Sequence, residues 1–247
     1  EFYSRSEDGI KDILIDDDKL FISFSNKVPD NFVWNQCYNT SILVADINFE
    51  YLNLNKFFFP VQCIKEDNDL GWINHHIAGG RMVNFKDNKI LFSTGSFQYF
   101  KLPQDKTSPL GKILSIDKNT ANWEIISMGH RNVQGLKYDH KEDIIFSTEH
   151  GPTGGDEFNI NFNPSSIDIK NFGWPISSYG EHGAKTAIQD TNELKLRYDR
   201  APLYKSHKKY GFIEPIKYYV PSIGITEIEK MPKEFNEEFD NDFFIAS

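Results

Sequence analysis

Residues 88–94 read Asn88-Lys89-Ile90-Leu91-Phe92-Ser93-Thr94: a polar turn, then a run of apolar residues, then small hydroxylated residues. Short apolar runs that are bounded by Asp, Asn and Gly are typical of β-strands and turns. The same pattern of turn, apolar run and small residues occurs in three further segments: 18–23, 142–148 and 241–247. When Lys19, Lys89, Asp143 and Asp242 are taken as equivalent, the four copies are separated by 70, 54 and 99 residues.

The spacing of these copies favours a β-propeller. A propeller blade takes about 40–50 residues, so the first two intervals each suit one blade with loop insertions, and the third is long enough for two. Further candidate strands lie between the copies, at residues 40–46, 112–116 and 216–220. A β-sandwich has the same short strands without needing an internal repeat, and it is the alternative at this point.

The composition indicates a globular, sheet-rich protein. Of the 247 residues, 26% are charged and 39% hydrophobic, which excludes a disordered chain, and the 21 Phe and 11 Tyr suit a sheet. The net charge of −9 and the lack of a strong basic cluster argue against a nucleic-acid partner. No run of 18 apolar residues occurs, so no membrane span is predicted.

The two cysteines, Cys37 and Cys63, are not spaced as a metal site or a redox motif. They predict either one disulfide bond in an oxidising compartment or two buried thiols.

Three polar, glycine-rich segments follow one another in the second half of the chain. They read Gly129-His130-Arg131-Asn132-Val133-Gln134-Gly135, then Glu149-His150-Gly151-Pro152-Thr153-Gly154-Gly155-Asp156-Glu157, then Asn171-Phe172-Gly173-Trp174-Pro175. Packing alone does not need Arg, Asn, Glu, Asp and His together, and loops on a rigid scaffold are where sites tend to lie.

These segments resemble the soluble glucose/sorbosone dehydrogenases, also called aldose sugar dehydrogenases, which use pyrroloquinoline quinone (PQQ). The resemblance runs from about Gly9 to Ser247 and is densest between Arg81 and Pro175. It implies an all-β, six-bladed β-propeller, of which this chain would hold about four to five blades. We therefore expect residues 1–247 to form a single β-propeller domain that is truncated at its C-terminus.

The resemblance implies a site for PQQ and for Ca²⁺. Arg131 and Asn132 would contact PQQ, and an Arg suits this role because its guanidinium can grip a carboxylate with two hydrogen bonds. The backbone carbonyls of Gly151 and Pro152 would bind the calcium that also touches PQQ. The alternatives are that Arg131 pairs with an acid to tie two loops, and that Gly-Pro is a plain turn.

A second, structural calcium is implied at Glu157, with the backbone carbonyl of Phe172 as its partner. A carboxylate with carbonyls is an adequate calcium shell if water completes it. The alternative is that Glu157 makes a salt bridge within the loop. Asp156 would orient a loop or a base.

The catalytic base of the family is the histidine of a His-x-Gly-Gly-Arg motif. Here the chain reads Asn74-His75-His76-Ile77-Ala78-Gly79-Gly80-Arg81, so His76 stands five residues before Arg81 and not four. A one-residue insertion makes His76 the base, His75 is the fallback, and the third possibility is that the base is lost. Arg81 would brace the loop.

Two departures from the family pattern bear on cofactor binding. Glu7 stands where the family has a Gln, and a carboxylate there would repel the tricarboxylate cofactor unless protonated or turned away. The PQQ-binding Lys and two further Arg of the family would lie just beyond Ser247.

The predicted function is that of a PQQ- and calcium-dependent oxidoreductase, which oxidises an aldose at C1 to the lactone. The partner is a small-molecule sugar, and the sequence does not identify the electron acceptor. The resemblance places the protein in the periplasm or outside the cell. The alternative is a non-catalytic propeller that binds a sugar or a protein and has lost the PQQ site; the shifted histidine and Glu7 favour it.

Overall fold

A computed structural model of the chain describes residues 9–28, 36–48, 50–68, 73–152, 154–180, 203–204, 207–232 and 242–247. Nearly all regular structure in these segments is β-strand, with one short helix, α1 (His207–Tyr210). The strands of the first half are β1 (Ile10–Asp16), β2 (Lys19–Val28), β3 (Cys37–Asp46), β4 (Asn55–Phe58), β5 (Ile64–Lys65), β6 (Gly79–Phe85), β7 (Lys89–Thr94), β8 (Lys112–Asp117) and β9 (Trp123–Met128). Those of the second half are β10 (Val133–Asp139), β11 (Ile144–Glu149), β12 (Asp156–Phe162), β13 (Lys170–Asn171), β14 (Ser177–Ser178), β15 (Leu203–Tyr204), β16 (Lys217–Tyr219), β17 (Ile228–Lys230) and β18 (Phe243–Ile245).

The strands form successive antiparallel sheets, each built from neighbouring parts of the chain. The first sheet has the order β1-β2-β3-β4, with β5 also paired to β3. The second has the order β6-β7-β8-β9, with β13 added in parallel at its outer edge, and the third has the order β10-β11-β12-β16. Within the described segments, a fourth sheet consists of the hairpin β17-β18, and β14 and β15 form a separate parallel pair.

The sheets are arranged as blades around an axis. The first strand of each sheet packs against the first strand of the next: β1 on β6, β6 on β10, and β10 on β17. One buried cluster, which includes Phe21, Phe92 and Leu114, fills the space between the first and second sheets. A second cluster, which includes Leu91 and Ile145, fills the space between the second and third. This is the architecture of a β-propeller, as predicted, and the described sheets do not close into a ring.

The four similar sequence segments occupy the same place in every sheet. They are β2, β7, β11 and β18, and each is the second strand of its sheet, paired antiparallel with the first. Three of these strands follow turns with residues in the left-handed region, including Asp17 at φ 50°, Asn88 at φ 61° and Asp143 at φ 52°. The predicted repeat is therefore the hairpin that opens each blade.

The 99-residue interval between the third and fourth copies does not hold two blades in its described part. It holds β12 and β16, the outer strands of the third sheet, joined by a long connection that carries β13, β14, β15 and α1. The extra length is therefore an insertion within one blade. The candidate strands at 40–46, 112–116 and 216–220 correspond to β3, β8 and β16.

Cys37 and Cys63 form a disulfide bond, with their Cα atoms 5.5 Å apart. The bond joins the start of β3 to the segment before β5, so the disulfide alternative is confirmed. Across the segments with described structure, no helix has the length and hydrophobicity that a membrane crossing would need.

The antiparallel order brings particular loops to one end of the blades. The loops that precede β6, β10 and β17, and the loops that follow β7 and β11, all lie at this end, which we call the upper rim. Residues 73–78, 95–111, 129–132, 150–152, 154–155 and 220–227 belong to it. Motifs that are far apart in the sequence therefore meet on one face of the molecule.

Candidate functional site

Asn132 and its neighbour Arg131 join three loops of the upper rim. Its side-chain Nδ2 donates to the carbonyl of His76 at 3.1 Å, and its Oδ1 accepts from the backbone N–H of Gly79 at 3.1 Å. The N–H of Ser96 donates to the carbonyl of Arg131 at 2.9 Å. The histidine motif and the Arg131–Asn132 motif, which lie more than fifty residues apart, are thus in direct contact. Asn132 is buried and braces the loops; its predicted contact with PQQ stays a prediction.

The Arg131 guanidinium faces the loop that follows β11. Its Nη1 donates to the carbonyls of His150 at 3.0 Å and Gly151 at 2.9 Å, and its Cζ lies 5.4 Å from the centre of the Trp174 ring. The guanidinium therefore joins the loop after β11, through two of its carbonyl oxygens, to the loop that carries Arg131. A fork-shaped cation is held next to one of the two carbonyls that were predicted to bind calcium.

A buried histidine and glutamate fix the backbone of this loop. His130 is fully buried, with Nδ1 2.9 Å from Oε2 of Glu149 and Nε2 2.8 Å from Oγ of Ser127. The other carboxylate oxygen of Glu149 accepts from the N–H of Arg131. The His130 ring also stacks on Phe172, with the ring centres 4.8 Å apart. Sequence reasoning did not assign Glu149, which holds both His130 and Arg131.

The four residues predicted to bind metal surround one small cavity. Gly151, Pro152, Glu157 and Phe172 line it together with Arg131, and the remaining lining residues are Glu149, Trp174, Ser177 and Ser178. Its volume is about 10 Å³, close to the space that a single water molecule needs. The sequence had assigned these residues to two separate calcium ions, whereas the fold gathers them around one space. Ser177 and Ser178 are additional lining residues that no motif had indicated.

Two buried glutamates face each other at this cavity. Glu149 on β11 and Glu157 on β12 are directly paired across the antiparallel ladder, and both are buried. Burial, and then the charge of Glu149, raise the pKa of Glu157 above its usual range. Like charges placed opposite each other on neighbouring strands repel, so this pair would be stabilised by a cation.

The donor atoms around the cavity suit calcium, which prefers carboxylate and carbonyl oxygens in irregular geometry. The Gly151 carbonyl already accepts from Arg131, and the Phe172 carbonyl accepts from Nε2 of His207 at 3.0 Å. A carbonyl oxygen has two lone pairs, so each can still take a further partner. The described segments contain no cluster of three or more His, Cys, Asp or Glu side chains suited to a metal, so a calcium here would depend on carbonyl oxygens.

Asp156 connects two rim loops, as the sequence had suggested for this residue. Its Oδ2 accepts from the backbone N–H groups of Ile223 at 3.1 Å, Gly224 at 2.8 Å and Ile225 at 3.1 Å. Its Oδ1 accepts from the N–H of Gly151 at 3.3 Å. The fully buried carboxylate thereby orients the backbone of Gly151 and holds the 220–227 loop in place.

The two candidate bases stand beside this arrangement. The His76 side chain is exposed, and its backbone N–H donates to Oδ1 of Asn74 at 3.0 Å. His75 is half-buried, and its ring meets the Tyr38 ring edge-on at 4.4 Å. His76 is thus the more accessible of the two. Its assignment as the base stays a prediction, and Glu7 lies outside the described residues.

Arg81 braces more than its own loop. Its Nε donates to the carbonyl of Gln134 on β10 at 2.6 Å, and its Nη1 lies 3.1 Å from Glu227 and 3.6 Å from Asp12 on β1. Since Arg81 itself is on β6, one guanidinium links the innermost strands of three sheets and the segment that enters the fourth.

Comparison with known proteins identifies the family. The sequence profile described as "Glucose / Sorbosone dehydrogenase" matches residues 5–247. The chain belongs to the glucose/sorbosone dehydrogenase family. The aldose sugar dehydrogenase YliI of Escherichia coli is 31% identical over 115 residues, which are 41% of this chain and 30% of that protein.

Solved structures of sugar dehydrogenases share the fold. The apo-form of the soluble aldose sugar dehydrogenase from Escherichia coli superposes with a TM-score of 0.72 at 19% identity, covering 99% of this chain and 68% of that one. The PQQ-bound aldose sugar dehydrogenase from Streptomyces coelicolor gives a TM-score of 0.57 at 20% identity, covering 86% and 52%. The aligned part of this chain thus spans under a third of the E. coli sequence relative. The relatives named for an activity are sugar oxidoreductases.

Proposed function

We propose that this family member is a PQQ- and calcium-dependent oxidoreductase, which oxidises an aldose sugar at C1 to the lactone. The observation that carries the proposal is the Arg131 guanidinium, 2.9 Å from the Gly151 carbonyl, in a residue that lines the same small cavity as the buried pair of Glu149 and Glu157. A site for an anionic quinone and a divalent metal needs a cation and oxygen donors within one small region. The PQQ-bound Streptomyces relative supports this choice of cofactor.

The metal would be held by the carbonyls of Gly151, Pro152 and Phe172 and by the carboxylate of Glu157. Glu149 adds negative charge directly opposite Glu157, which strengthens attraction for a divalent cation. When bound, PQQ would serve as the two-electron acceptor, and calcium would polarise its quinone. Asp156 serves this shell by holding the N–H of Gly151, which sets the direction of the neighbouring carbonyls.

Arg131 and Asn132 would hold the cofactor. Arg131 carries the positive charge that a carboxylate of the cofactor requires, and its position is fixed through Glu149 and the Trp174 ring. Asn132 keeps the histidine loop against the Arg131 loop. Together, the two residues fix the position of the Arg131 charge relative to His76, the candidate base.

His76 would take the proton from the anomeric hydroxyl as C1 is oxidised. A histidine suits this task because its pKa lies close to working pH. Exposure of the His76 side chain leaves it accessible to a sugar that enters from solvent. The sugar is thus the small-molecule partner in this proposal.

We also propose that the protein works in an oxidising compartment, the periplasm or the outside of the cell. The disulfide bond between Cys37 and Cys63 supports this location, because such bonds persist where thiols are not kept reduced.

Reconstitution tests the proposed activity. The full-length protein is incubated with PQQ and Ca²⁺, and reduction of an artificial dye is followed with a panel of aldoses. We expect dye reduction that requires the sugar, PQQ and Ca²⁺ together. The variant His76→Ala should reduce turnover by a factor of about 10² or more, since general base catalysis contributes about that much, while His75→Ala should leave most of it.

Absence of dye reduction with every aldose would contradict the enzyme proposal. If the same preparation still binds PQQ in a calcium-dependent way, the site is intact and the chemistry is wrong. If it binds no PQQ, the protein is the non-catalytic binding module that the sequence left open.

A further inference from the structure

Strand β12 has an unusual pattern of burial. Its side chains Glu157, Asn159 and Asn161 point to the interior and are 7%, 0% and 4% exposed. Phe162, whose side chain points to the opposite face of the strand, is 60% exposed. The ordinary alternation of a half-buried strand would place the apolar side chains inside and the amides outside. The third sheet therefore presents a strip of polar side chains to its interior face.

This polar strip faces the second sheet. Asn161 is paired with Ile145 on β11, and Ile145 packs in the same buried cluster as Leu91 and Ile113 of the second sheet. Ser115 lies two residues after Ile113 on β8, on the same face of its strand, and is 2% exposed. Asn159, Asn161 and Ser115 thus lie on the facing sides of the second and third sheets, beside the apolar cluster, and we call the space that they border the gap.

Several polar atoms in this gap have no hydrogen-bond partner in the part of the chain that the structure describes. They are Oδ1 of Asn159, both side-chain atoms of Asn161, and Oγ of Ser115. Buried polar groups without partners are rare in proteins, because removing them from water without a replacement bond is unfavourable. Four such atoms on the facing sides of two sheets point to partners that are not protein groups.

The strip connects two spaces. At its upper end, Nδ2 of Asn159 donates to Oε2 of Glu157 at 3.2 Å, and Glu157 lines the small cavity of the candidate site. At its lower end, β12 leads into residues 164–166, which line an open groove of about 650 Å³ together with Ser115. Alternate residues of a strand are about 6.6–6.8 Å apart, a separation that one bridging molecule between their side chains can span.

We propose that a file of ordered water molecules occupies this gap and connects the lower groove with the carboxylate of Glu157. Water fits the chemistry, because each molecule can donate to amide oxygens and accept from amide N–H and hydroxyl groups. The file gives the buried glutamate pair a route to bulk solvent that does not pass through the upper rim. The proposal does not depend on the proposed enzymatic function.

A crystal structure of the full-length protein at high resolution tests the file directly. We expect ordered water within hydrogen-bond distance of Asn161, Asn159 and Ser115, in a continuous series that ends at Glu157. A gap without water, with the two amides bonded to protein groups instead, would overturn the proposal.

The variant Asn161→Leu gives a second test. The direction in which it shifts the urea midpoint of unfolding depends on whether water is present in the gap. If water satisfies the amide, leucine removes those bonds and displaces the water, so the urea midpoint of unfolding should fall. If the gap is dry, leucine removes an unsatisfied polar group and the midpoint should rise, which would contradict the proposal. Asn119→Leu, at an exposed turn, is the matched control for the exchange itself. Should Asn161→Leu fail to fold, the crystallographic test decides alone.

Discussion

Charged side chains held by backbone groups determine the geometry of single residues at the candidate site. Asp156 accepts three N–H groups of the 220–227 loop on one oxygen, and Arg131 donates to two carbonyls of the 150–155 loop. Bonds to charged groups are stronger than neutral ones, and a buried backbone group that loses its partner is costly. These two side chains therefore set the relative position of the rim loops.

Replacing Asp156 should loosen two loops at once. We expect Asp156→Ala to lower the free energy of unfolding by roughly 3 kcal/mol, because four backbone N–H groups lose a charged, fully buried acceptor. Asp156→Asn keeps one acceptor oxygen and should lose less. Urea denaturation measures both, and Asp168→Ala, at an exposed aspartate, is the control. Equal stability of Asp156→Ala and the control would show that the loop holds itself.

Lys112 is a second buried charge, located in β8 below the loop that follows β7. It is fully buried, and its Nζ donates to the carbonyls of Leu102 at 2.7 Å, Pro103 at 3.1 Å and Leu110 at 2.8 Å. Burial lowers the pKa of Lys112 from 10.5 to about 7. The three carbonyls match the three N–H groups of an ammonium and oppose that change.

The pH dependence of stability measures which effect prevails at Lys112. With a folded-state pKa near 7 and an unfolded value of 10.5, the unfolded chain binds more protons between these values. Stability should then rise with pH across this window, by at most about 1.4 kcal/mol for each pH unit. The comparison with Lys112→Met isolates this contribution, because methionine does not titrate. Identical slopes of stability against pH for the two proteins would contradict this expectation. They would show that the three carbonyls stabilise the Lys112 ammonium as well as water does.

At the scale of elements, the disulfide bond anchors the first sheet near the upper rim. It joins the start of β3 to the segment before β5, two parts of the chain that are 26 residues apart. Cross-linking a loop of this size removes conformational freedom from the unfolded chain.

Removing the disulfide should lower the free energy of unfolding by about 3 kcal/mol. The double variant Cys37→Ser/Cys63→Ser tests this in urea, with the reduced wild-type protein as its match. The urea midpoints of the double variant and of the reduced wild-type protein should agree within experimental error. A wild-type protein whose midpoint does not change under reduction would contradict the expected contribution.

The hairpin that opens each blade could be predicted from sequence, because a polar turn and an apolar run recur in β2, β7, β11 and β18. The insertion within the third blade could not be told from an extra blade by length alone. Strand β12 also defeats pattern reasoning, since the alternation of Phe158, Ile160 and Phe162 with polar residues indicates the opposite face as the buried one.

The candidate site was predictable in part. The resemblance of the local motifs to the family pointed to Arg131, Gly151 and Glu157, which the fold gathers around one cavity, and their roles stay predictions. The opposition of Glu149 to Glu157 depends on strand register, and the reach of Asp156 to residues 223–225 spans more than sixty positions. Such contacts follow from how the blades are arranged around the axis, which no local pattern contains.

At the scale of the whole molecule, the arrangement of blades produces the site. The first strands of successive sheets meet near the axis, where Arg81 joins β1, β6, β10 and the segment before β17. The rim loops that enter β6, β10 and β17 then project from a fixed base. That residues 1–247 form a single propeller domain stays a prediction.

The central claim is that these rim loops form a metal-bound quinone site. It is tested by titrating the full-length protein with PQQ, with and without Ca²⁺, and following the absorbance of PQQ. We expect saturable binding that requires Ca²⁺, and a loss of affinity of at least tenfold in Arg131→Ala, since a charge-assisted bond contributes about 1.5–3 kcal/mol. The exposed residue Lys141 supplies the control variant Lys141→Ala, which should bind as the wild type does. Absence of PQQ binding at any Ca²⁺ concentration, or equal affinity in Arg131→Ala, would contradict the account.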